Sequence, residues 1–185
     1  MSRLLVFGLL TVCALAMASS AYALNHGLYL YHNGQYTQYA TAQAAFDAAV
    51  PGDAVVYGPG VYHASGMLKT TKSGTAAAPI TIRGDGTPRP VIDAQGIKKN
   101  QLPLSHAPIS IQHDYIVVEN LEIKNSSSDY GLWGNSSGIY TYNADYVIVR
   151  NVYVHDCGHG IYSSENGTNL TIENSEFCYN GYSNN

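Results

Sequence analysis

The amino-acid sequence predicts an all-β protein, a single-stranded right-handed parallel β-helix with a short N-terminal capping α-helix. Three observations lead to this fold class. Segments 115–123, 146–154 and 169–177 align with one another without gaps. An asparagine recurs at one position of that repeat. The composition favours strands joined by turns, with 18 Gly and 16 Tyr among 185 residues.

Composition and charge exclude several other classes of protein. Only 12% of the residues are charged and 45% are hydrophobic, which is too apolar for an intrinsically disordered chain. The 9 Lys plus Arg against 13 Asp plus Glu give a formal net charge of −4, and the sequence has no basic stripe. We therefore expect no nucleic-acid partner. The scarcity of Glu, Lys and Leu beside so much Gly and Tyr argues against a helical bundle.

The segment 1–23 predicts a secretory signal peptide rather than a part of the fold. Arg3 gives a positive start, residues 4–17 form an almost unbroken apolar run, and residues 21–23 read A-Y-A, a cleavage signal. A membrane anchor is the alternative, but the run is shorter than the roughly 20 residues of a membrane span. We expect a secreted protein, extracellular or periplasmic, with no membrane span. Its β-helix domain would occupy residues 24–185.

Residues 41–50 form the one good helical window of the sequence. The apolar residues that would share a helix face stand at positions i, i+3, i+4 and i+7, namely Ala42, Ala45, Phe46 and Ala49. Thr41 is a suitable N-cap, and the P-G pair at 51–52 would end the helix. Because the strand-like segment A-V-V-Y follows at 54–57, we expect the helix to form a lid over one end of the sheet.

The repeat beyond the helix predicts stacked coils. Its three copies begin at positions 115, 146 and 169, so the first interval is longer than the second. An insert around residues 126–137 explains the longer interval. In a parallel β-helix each coil stacks about 4.8 Å from the next, so identical residues pile up. The amides of the three repeated asparagines could then hydrogen-bond to one another at a bend: Asn120, Asn151 and Asn174. An antiparallel sandwich shows similar alternation but gives no reason for asparagine to recur in one register.

Three charged residues share the position before these asparagines. They are Glu119, Arg150 and Glu173, one in each copy of the repeat. Stacked on an outer face, they would make a ladder of opposite charges that sets the register. We prefer this interpretation to a catalytic carboxylate pair with an arginine.

Several motifs resemble those of secreted β-helix proteins of the pectate lyase-like superfamily. In order they are Q-A-A-F-D-A-A in the helix, P-G-D, P-G-V-Y, S-G-T-A-A-A-P-I-T-I-R at 73–83 and P-V-I-D at 90–93. The resemblance is to polysaccharide lyases of the chondroitinase B and alginate lyase type and to one group of pectate lyases. It covers most of the chain after residue 23. The superfamily also contains hydrolases, epimerases and non-catalytic members, so the resemblance implies the fold more specifically than the activity.

The resemblance implies an acidic polysaccharide as partner and its cleavage by β-elimination. A base, often Lys or Arg, would remove the proton α to a uronate carboxyl. Positive charge, commonly Ca²⁺ held by Asp, Glu or Asn, would stabilise the anion, which makes Ca²⁺ the candidate cofactor. No stretch matches a calcium cluster of closely spaced acidic residues.

The resemblance also bears on the extent of the chain. In these families the site lies on middle or later coils, and the sequence after residue 179 is turn-like. We expect the chain to be the N-terminal part of a longer protein, with further C-terminal coils, a partner or a second copy closing the open end.

The segment H-D-C-G-H-G at 155–160 is the densest group of reactive side chains. The tentative catalytic residues are His155, Asp156 and His159, in which Asp156 would pair with one histidine for acid–base chemistry. A metal site that also uses Cys157 is an alternative, but the spacing matches no strong zinc motif, and the metal ligands stay unassigned. A structural turn, with its glycines at positive φ, is the interpretation that the pattern favours.

Three further residues are candidate substrate contacts. Lys124 shares a register with His155 and Cys178, so it would lie beside them. Tyr140 and Tyr162 occupy the same place in two matching G-I-Y segments and could stack on sugar rings. The alternatives are a solvated lysine and tyrosines that are simply good strand formers.

Other residues extend these two candidate surfaces. Tyr142, Tyr130 and Trp133 could extend the aromatic surface, and residues 98–99 (K-K) could meet an anionic polymer.

The cysteines left after a signal peptide, Cys157 and Cys178, would lie on adjacent coils but two registers apart. That separation is near the upper limit of about 7 Å between Cα atoms for a disulfide, so pairing stays open.

Together these observations favour a secreted, carbohydrate-active β-helix protein related to lyases that cleave uronate-containing polysaccharides. The alternative is a non-catalytic surface or carbohydrate-binding β-helix module.

Overall fold

A computed structural model describes residues 24–64, 66–94, 107–126 and 137–181. The predicted signal peptide, the lysines at 98–99, Tyr130 and Trp133 lie outside the described residues. The single helix within those ranges is α1 (Ala42–Ala48). In chain order the strands are β1 (Leu28–His32), β2 (Gln35–Tyr39), β3 (Ala54–Tyr57), β4 (Val61–His63), β5 (Leu68–Lys69), β6 (Ile80–Gly84), β7 (Val91–Asp93), β8 (Ile109–Ile111), β9 (Ile116–Glu119), β10 (Glu122–Lys124), β11 (Ser137–Tyr142), β12 (Ile148–Arg150), β13 (Tyr153–His155), β14 (His159–Ser164), β15 (Thr171–Glu173) and β16 (Glu176–Cys178).

The strands form three sheets that run the length of a β-helix. Sheet A has the order β15-β12-β9-β6-β3-β1-β2, sheet B the order β16-β13-β10-β7-β4, and sheet C the order β14-β11-β8-β5. Each of four successive coils contributes one strand to each sheet, beginning with β3, β4 and β5. The last described coil adds β15 to sheet A and β16 to sheet B, and all of these strands pair in parallel. The β1–β2 hairpin is antiparallel and extends the first edge of sheet A. The predicted parallel β-helix is confirmed.

Helix α1 closes the first end of the coils, as the sequence predicted for a lid. The Thr41 side chain accepts a hydrogen bond from the amide of Ala44 at 3.1 Å, which caps the helix. Phe46 is fully buried on the predicted apolar face. The Gln43 side chain donates to the carbonyl of Lys69 at 3.0 Å and accepts from its amide at 2.8 Å. Since β5 is the edge strand of sheet C, the side-chain amide of Gln43 makes the hydrogen bonds that a further neighbouring strand would make.

Stacked apolar residues fill the interior in the predicted register. Ile82, Val118 and Val149 lie opposite one another on β6, β9 and β12, and each is 0% exposed. Ile172 continues the row on β15 but is 44% exposed. No described helix is long and apolar enough to cross a membrane.

Left-handed residues mark the corners of the coils. Asn120, Asn151 and Asn174 have φ of 53°, 51° and 46°, a conformation that asparagine tolerates better than most residues. The Asn151 side-chain amide donates to the Asn120 side-chain oxygen at 3.1 Å, as the repeat predicted. The same conformation recurs at the other corners, at Tyr115, Tyr146 and Asn169, at Asn125, Asp156 and Tyr179, and at Asn143 and Glu165.

The predicted charge ladder lies on the outer face of sheet A. Glu119, Arg150 and Glu173 are register partners on β9, β12 and β15. Arg150 Nη2 lies 2.6 Å from Glu119 Oε2, and its Nε donates to the same oxygen at 2.7 Å. The ladder also extends to Arg83 on β6, opposite Glu119. These charges therefore hold coils in register, which supports a structural role over a catalytic one.

Candidate functional site

One outward-facing row of polar side chains crosses sheet B at the end of its strands. Apolar residues immediately before the row, such as Ile123 and Val154, are fully buried, so alternation along each strand turns the row outward. We call this set the sheet B row, and its register partners are His63, Asp93, Lys124, His155 and Cys178. The predicted register of Lys124 with His155 and Cys178 is confirmed.

His155 sits between two carboxylates. Its Nδ1 is 2.6 Å from Asp156 Oδ2, and its Nε2 is 3.2 Å from Glu122 Oε1. The imidazole is also stacked on Tyr153, with ring centroids 4.4 Å apart, and its side chain is 14% exposed. The two carboxylates therefore hold the imidazole in a fixed orientation next to Lys124.

Asp156 reaches His155 because it occupies a corner. Its φ of 52° places it in the left-handed region, the position that Asn125 takes one coil earlier and Tyr179 one coil later. Aspartate tolerates this conformation, and the sharp bend turns its side chain back towards the preceding residue. The carboxylate is 56% exposed and so remains open to solvent.

At the first end of the row, Asp93 is 7% exposed and accepts a hydrogen bond from Asn125 Nδ2 at 3.0 Å. His63 Nδ1 lies 3.9 Å from Asp93 Oδ2. These contacts tie three successive coils together below Lys124.

The two cysteines among the described residues are free thiols with separate partners. Cys157 is 1% exposed and donates to the His155 carbonyl at 3.2 Å, and burial raises its pKa to about 11. Cys178 donates to the Tyr153 hydroxyl at 3.3 Å. This hydrogen bond, followed by burial, raises the pKa of Tyr153 to about 12. The thiols are therefore not joined, and Cys157 resists the deprotonation that a metal ligand or nucleophile needs.

The other predicted site residues lie on sheet C. His159 begins β14, and its ring lies 5.6 Å from that of Tyr162. Tyr140 and Tyr162 are register partners with nearly parallel rings, 5.8 Å apart at 9°. Tyr140 is only 8% exposed and its hydroxyl lies 2.9 Å from Ser164 Oγ. Of this pair, Tyr162 therefore offers more ring surface, and Tyr142 beside it is 41% exposed.

Comparison with known proteins identifies the family. A model of the Pel9A-like right-handed β-helix region matches residues 29–185, which is most of the chain. The chain belongs to this family. The match also confirms the right-handed winding that the repeat predicted.

A solved structure is similar to the Pel9A-like chain as well. It is the alginate lyase from Paenibacillus sp. str. FPU-7, with 25% sequence identity and a TM-score of 0.57. The match covers 72% of this chain and 40% of the lyase, so the chain spans well under half of that protein. The search of curated proteins found no match.

The metal site considered for His155, Asp156, Cys157 and His159 has no ready-made set of ligands in the part of the Pel9A-like chain that the structure describes. There, no three or more His, Cys, Asp or Glu side chains come together as a group that could hold a metal ion. The side chains of His155 and Asp156 contact each other, and Cys157 is buried and protonated. The described residues therefore contain no ready-made metal site, and the Ca²⁺ that the resemblance implies stays a prediction.

Sequence reasoning missed Asp93, a member of the sheet B row of this Pel9A-like chain, and Glu122 and Tyr153, which contact His155. Glu122 and Tyr153 each stand two residues before a row residue, so strand alternation could have placed them on the same outer face. Their contacts with His155 depend on side-chain rotamers, which the repeat does not encode.

Proposed function

We propose that this chain belongs to a secreted carbohydrate-active protein that binds uronate-containing polysaccharides and cleaves them by β-elimination. The observation that carries the proposal is the pairing of Lys124 with His155, the latter held between two carboxylates on the outer face of sheet B. The alginate lyase that shares this fold acts on a uronate polymer by its name, which supports the same substrate class.

In this proposal Lys124 binds the uronate carboxylate. An ammonium group placed there neutralises the carboxylate and stabilises the negative charge that develops when the neighbouring carbon loses its proton. The row also contains one acidic residue, Asp93, so Lys124 is the group that makes the approach of an anionic chain favourable. Adjacent strands lie about 4.8 Å apart, which puts a sugar held by Lys124 within reach of His155.

His155 moves the proton in the elimination. His155 Nε2 takes the proton α to the carboxyl, the β carbon–oxygen glycosidic bond breaks, and a carbon–carbon double bond forms in one product. Nε2 then gives this proton to the leaving oxygen, so atoms and charge balance. The contact from Nε2 to Glu122 is the longer of the two, and its opening lets an unprotonated Nε2 reach the sugar. Asp156 keeps its hold on Nδ1 and orients the ring.

The test is the appearance of the new double bond. Purified protein is mixed with alginate or with pectate, with and without Ca²⁺, and ultraviolet absorbance of the unsaturated uronate is followed together with reducing ends. We expect both signals to rise in parallel and to fall by at least about 100-fold in Lys124→Met and His155→Gln. Lys69→Met is the matched control, because Lys69 is an exposed lysine on sheet C. A rise in reducing ends without absorbance would indicate hydrolysis and contradict the proposal.

A non-catalytic carbohydrate-binding module is the second candidate. The observation that favours it is that both nitrogens of His155 already face carboxylates, which suits a structural contact as well as a catalytic one. It predicts retardation of the protein in a gel containing alginate or pectate, with no ultraviolet absorbance under any condition above. If the gel shows no retardation and the assay no product, both candidates fail.

A further inference from the structure

We propose that the outer face of the β1–β2 hairpin is a second carbohydrate site, one that binds a neutral polysaccharide. Its central feature is a set that we call the hairpin tyrosines, Tyr29, Tyr31 and Tyr36. Tyr31 and Tyr36 are register partners, with ring centroids 4.8 Å apart at 47°. Tyr29 meets Tyr36 edge to face at 6.2 Å and 83°. This inference goes beyond the lyase proposal and does not depend on it.

The hairpin tyrosines are outside the hydrophobic core. Leu30, between Tyr29 and Tyr31 on β1, points inward and is 7% exposed, so alternation turns the two tyrosines to the outer face. All three rings are half-buried rather than covered. Tilted and edge-on contacts cover less ring face than the parallel stack of Tyr115 on Tyr146, at 4.7 Å and 3°. The hairpin rings therefore keep flat surface that a sugar can use, since C–H faces of pyranoses pack on aromatic faces.

A hydrogen-bonded frame holds the ring of Tyr36 in place. Arg83 Nη2 donates to the Tyr36 hydroxyl at 2.9 Å, and this hydroxyl donates to Asp85 Oδ2 at 3.2 Å. The guanidinium carbon of Arg83 also lies 5.8 Å from the ring centroid of Tyr31, within cation–π range. Because these rings are already fixed, little conformational entropy would be lost on binding.

The charge of this surface selects the occupant. Arg83 Nη2 lies 3.7 Å from Asp85 Oδ2, so the cation of the frame is already compensated. An acidic polymer would gain nothing from a neutralised guanidinium, whereas the hydroxyls of a neutral glycan need only hydrogen-bond partners and flat apolar faces. The exposed amide of Gln38, opposite Tyr29, adds such a partner. A chain of equatorially substituted pyranoses, such as a β-linked glucan or xylan, has this chemistry.

The size of the surface argues against a protein partner. Three tyrosine side chains supply about 600 Å² even if completely exposed, at about 200 Å² each. A stable protein interface needs about 800 Å² from each partner. These rings are half-buried and offer less, which is enough for two or three sugar rings.

The experiment is affinity electrophoresis of the full chain in gels that contain hydroxyethylcellulose, xylan, alginate or pectate. We expect a neutral glycan to retard the wild-type protein and Tyr31→Leu to weaken that retardation by about tenfold or more. Tyr146→Leu is the matched control. It removes an exposed tyrosine at a corner of the coils, away from the hairpin, and should be retarded like wild type. Loss of lyase activity is not a readout here, so the two proposals fail separately.

Three results would overturn the inference. They are no retardation by either neutral glycan, retardation by the acidic polymers alone, and neutral-glycan retardation that Tyr31→Leu leaves unchanged. Should Tyr31→Leu not fold, as judged by circular dichroism, the wild-type protein is titrated with xylohexaose and cellohexaose in an NMR tube. Shifts of the ring signals of Tyr31 and Tyr36 support the site, and unchanged signals overturn it.

Discussion

Replacing Asn151 separates the backbone contribution of a corner from its hydrogen bonds. The residue has φ of 51°, donates to the side-chain oxygen of Asn120 at 3.1 Å and accepts from Arg89 Nη2 at 2.8 Å. Alanine at such a φ costs about 1–2 kcal/mol, and glycine is free of that strain. The two hydrogen bonds are exposed and contribute about 0.5 kcal/mol each, the low end for a protein hydrogen bond. We expect Asn151→Ala to lower the free energy of unfolding by about 2–3 kcal/mol and Asn151→Gly by about 1 kcal/mol.

The assay is urea unfolding followed by circular dichroism. Asn166→Ala is the control, since Asn166 is exposed and has no left-handed φ, and it should change the free energy by less than about 0.5 kcal/mol. Equal losses for the alanine and glycine variants at Asn151 would refute the backbone part of the reasoning. If neither variant lost stability, the corner asparagines would not hold the coils together.

Two further predictions concern the core and the buried thiol. Ile123→Ala should lower the free energy of unfolding by about 2–5 kcal/mol because the Ile123 side chain is fully buried. Ile172→Ala should lower it by less than about 1 kcal/mol because Ile172 is 44% exposed. Similar losses for the two variants in urea unfolding would contradict the described packing. Burial raises the pKa of Cys157 from 9.0 to about 11, so the unfolded chain releases this proton first and stability falls as pH rises from about 9 to 11. Cys157→Ala should lose less stability than wild type over that interval, since other groups titrate alike in both proteins, and identical pH profiles would show that the thiol is not desolvated.

The stacking register could be predicted because it repeats in the sequence. The aligned segments determined which residues lie opposite one another, so Val118 and Val149 meet in the core and Asn120 meets Asn151 at a corner. The capping helix could also be predicted, because the spacing of its apolar residues and its Thr41 N-cap are local features of the sequence. What has no repeat was not predicted, above all the antiparallel β1–β2 hairpin that extends sheet A.

The candidate site was predicted only in outline. Register placed Lys124 beside His155, but the contact of His155 with Glu122 depends on rotamers of side chains from different coils. The low exposure of Tyr140 also depends on long-range packing, which the matching G-I-Y segments do not encode. The repeat therefore predicts which residues lie opposite one another, but it does not predict the side-chain contacts that form the candidate site on the outer face.

In the proposed function the sheet B row binds the uronate polymer, and the most direct test is to map where a uronate oligosaccharide binds. The measurement is an NMR titration of the labelled protein with an alginate oligosaccharide, following the side-chain signals of Lys124 and His155. We expect these signals to shift together and saturably, while the ring signals of Tyr31 and Tyr36 on the hairpin stay in place. Shifts confined to another face of the β-helix, or none at saturating oligosaccharide, would contradict it.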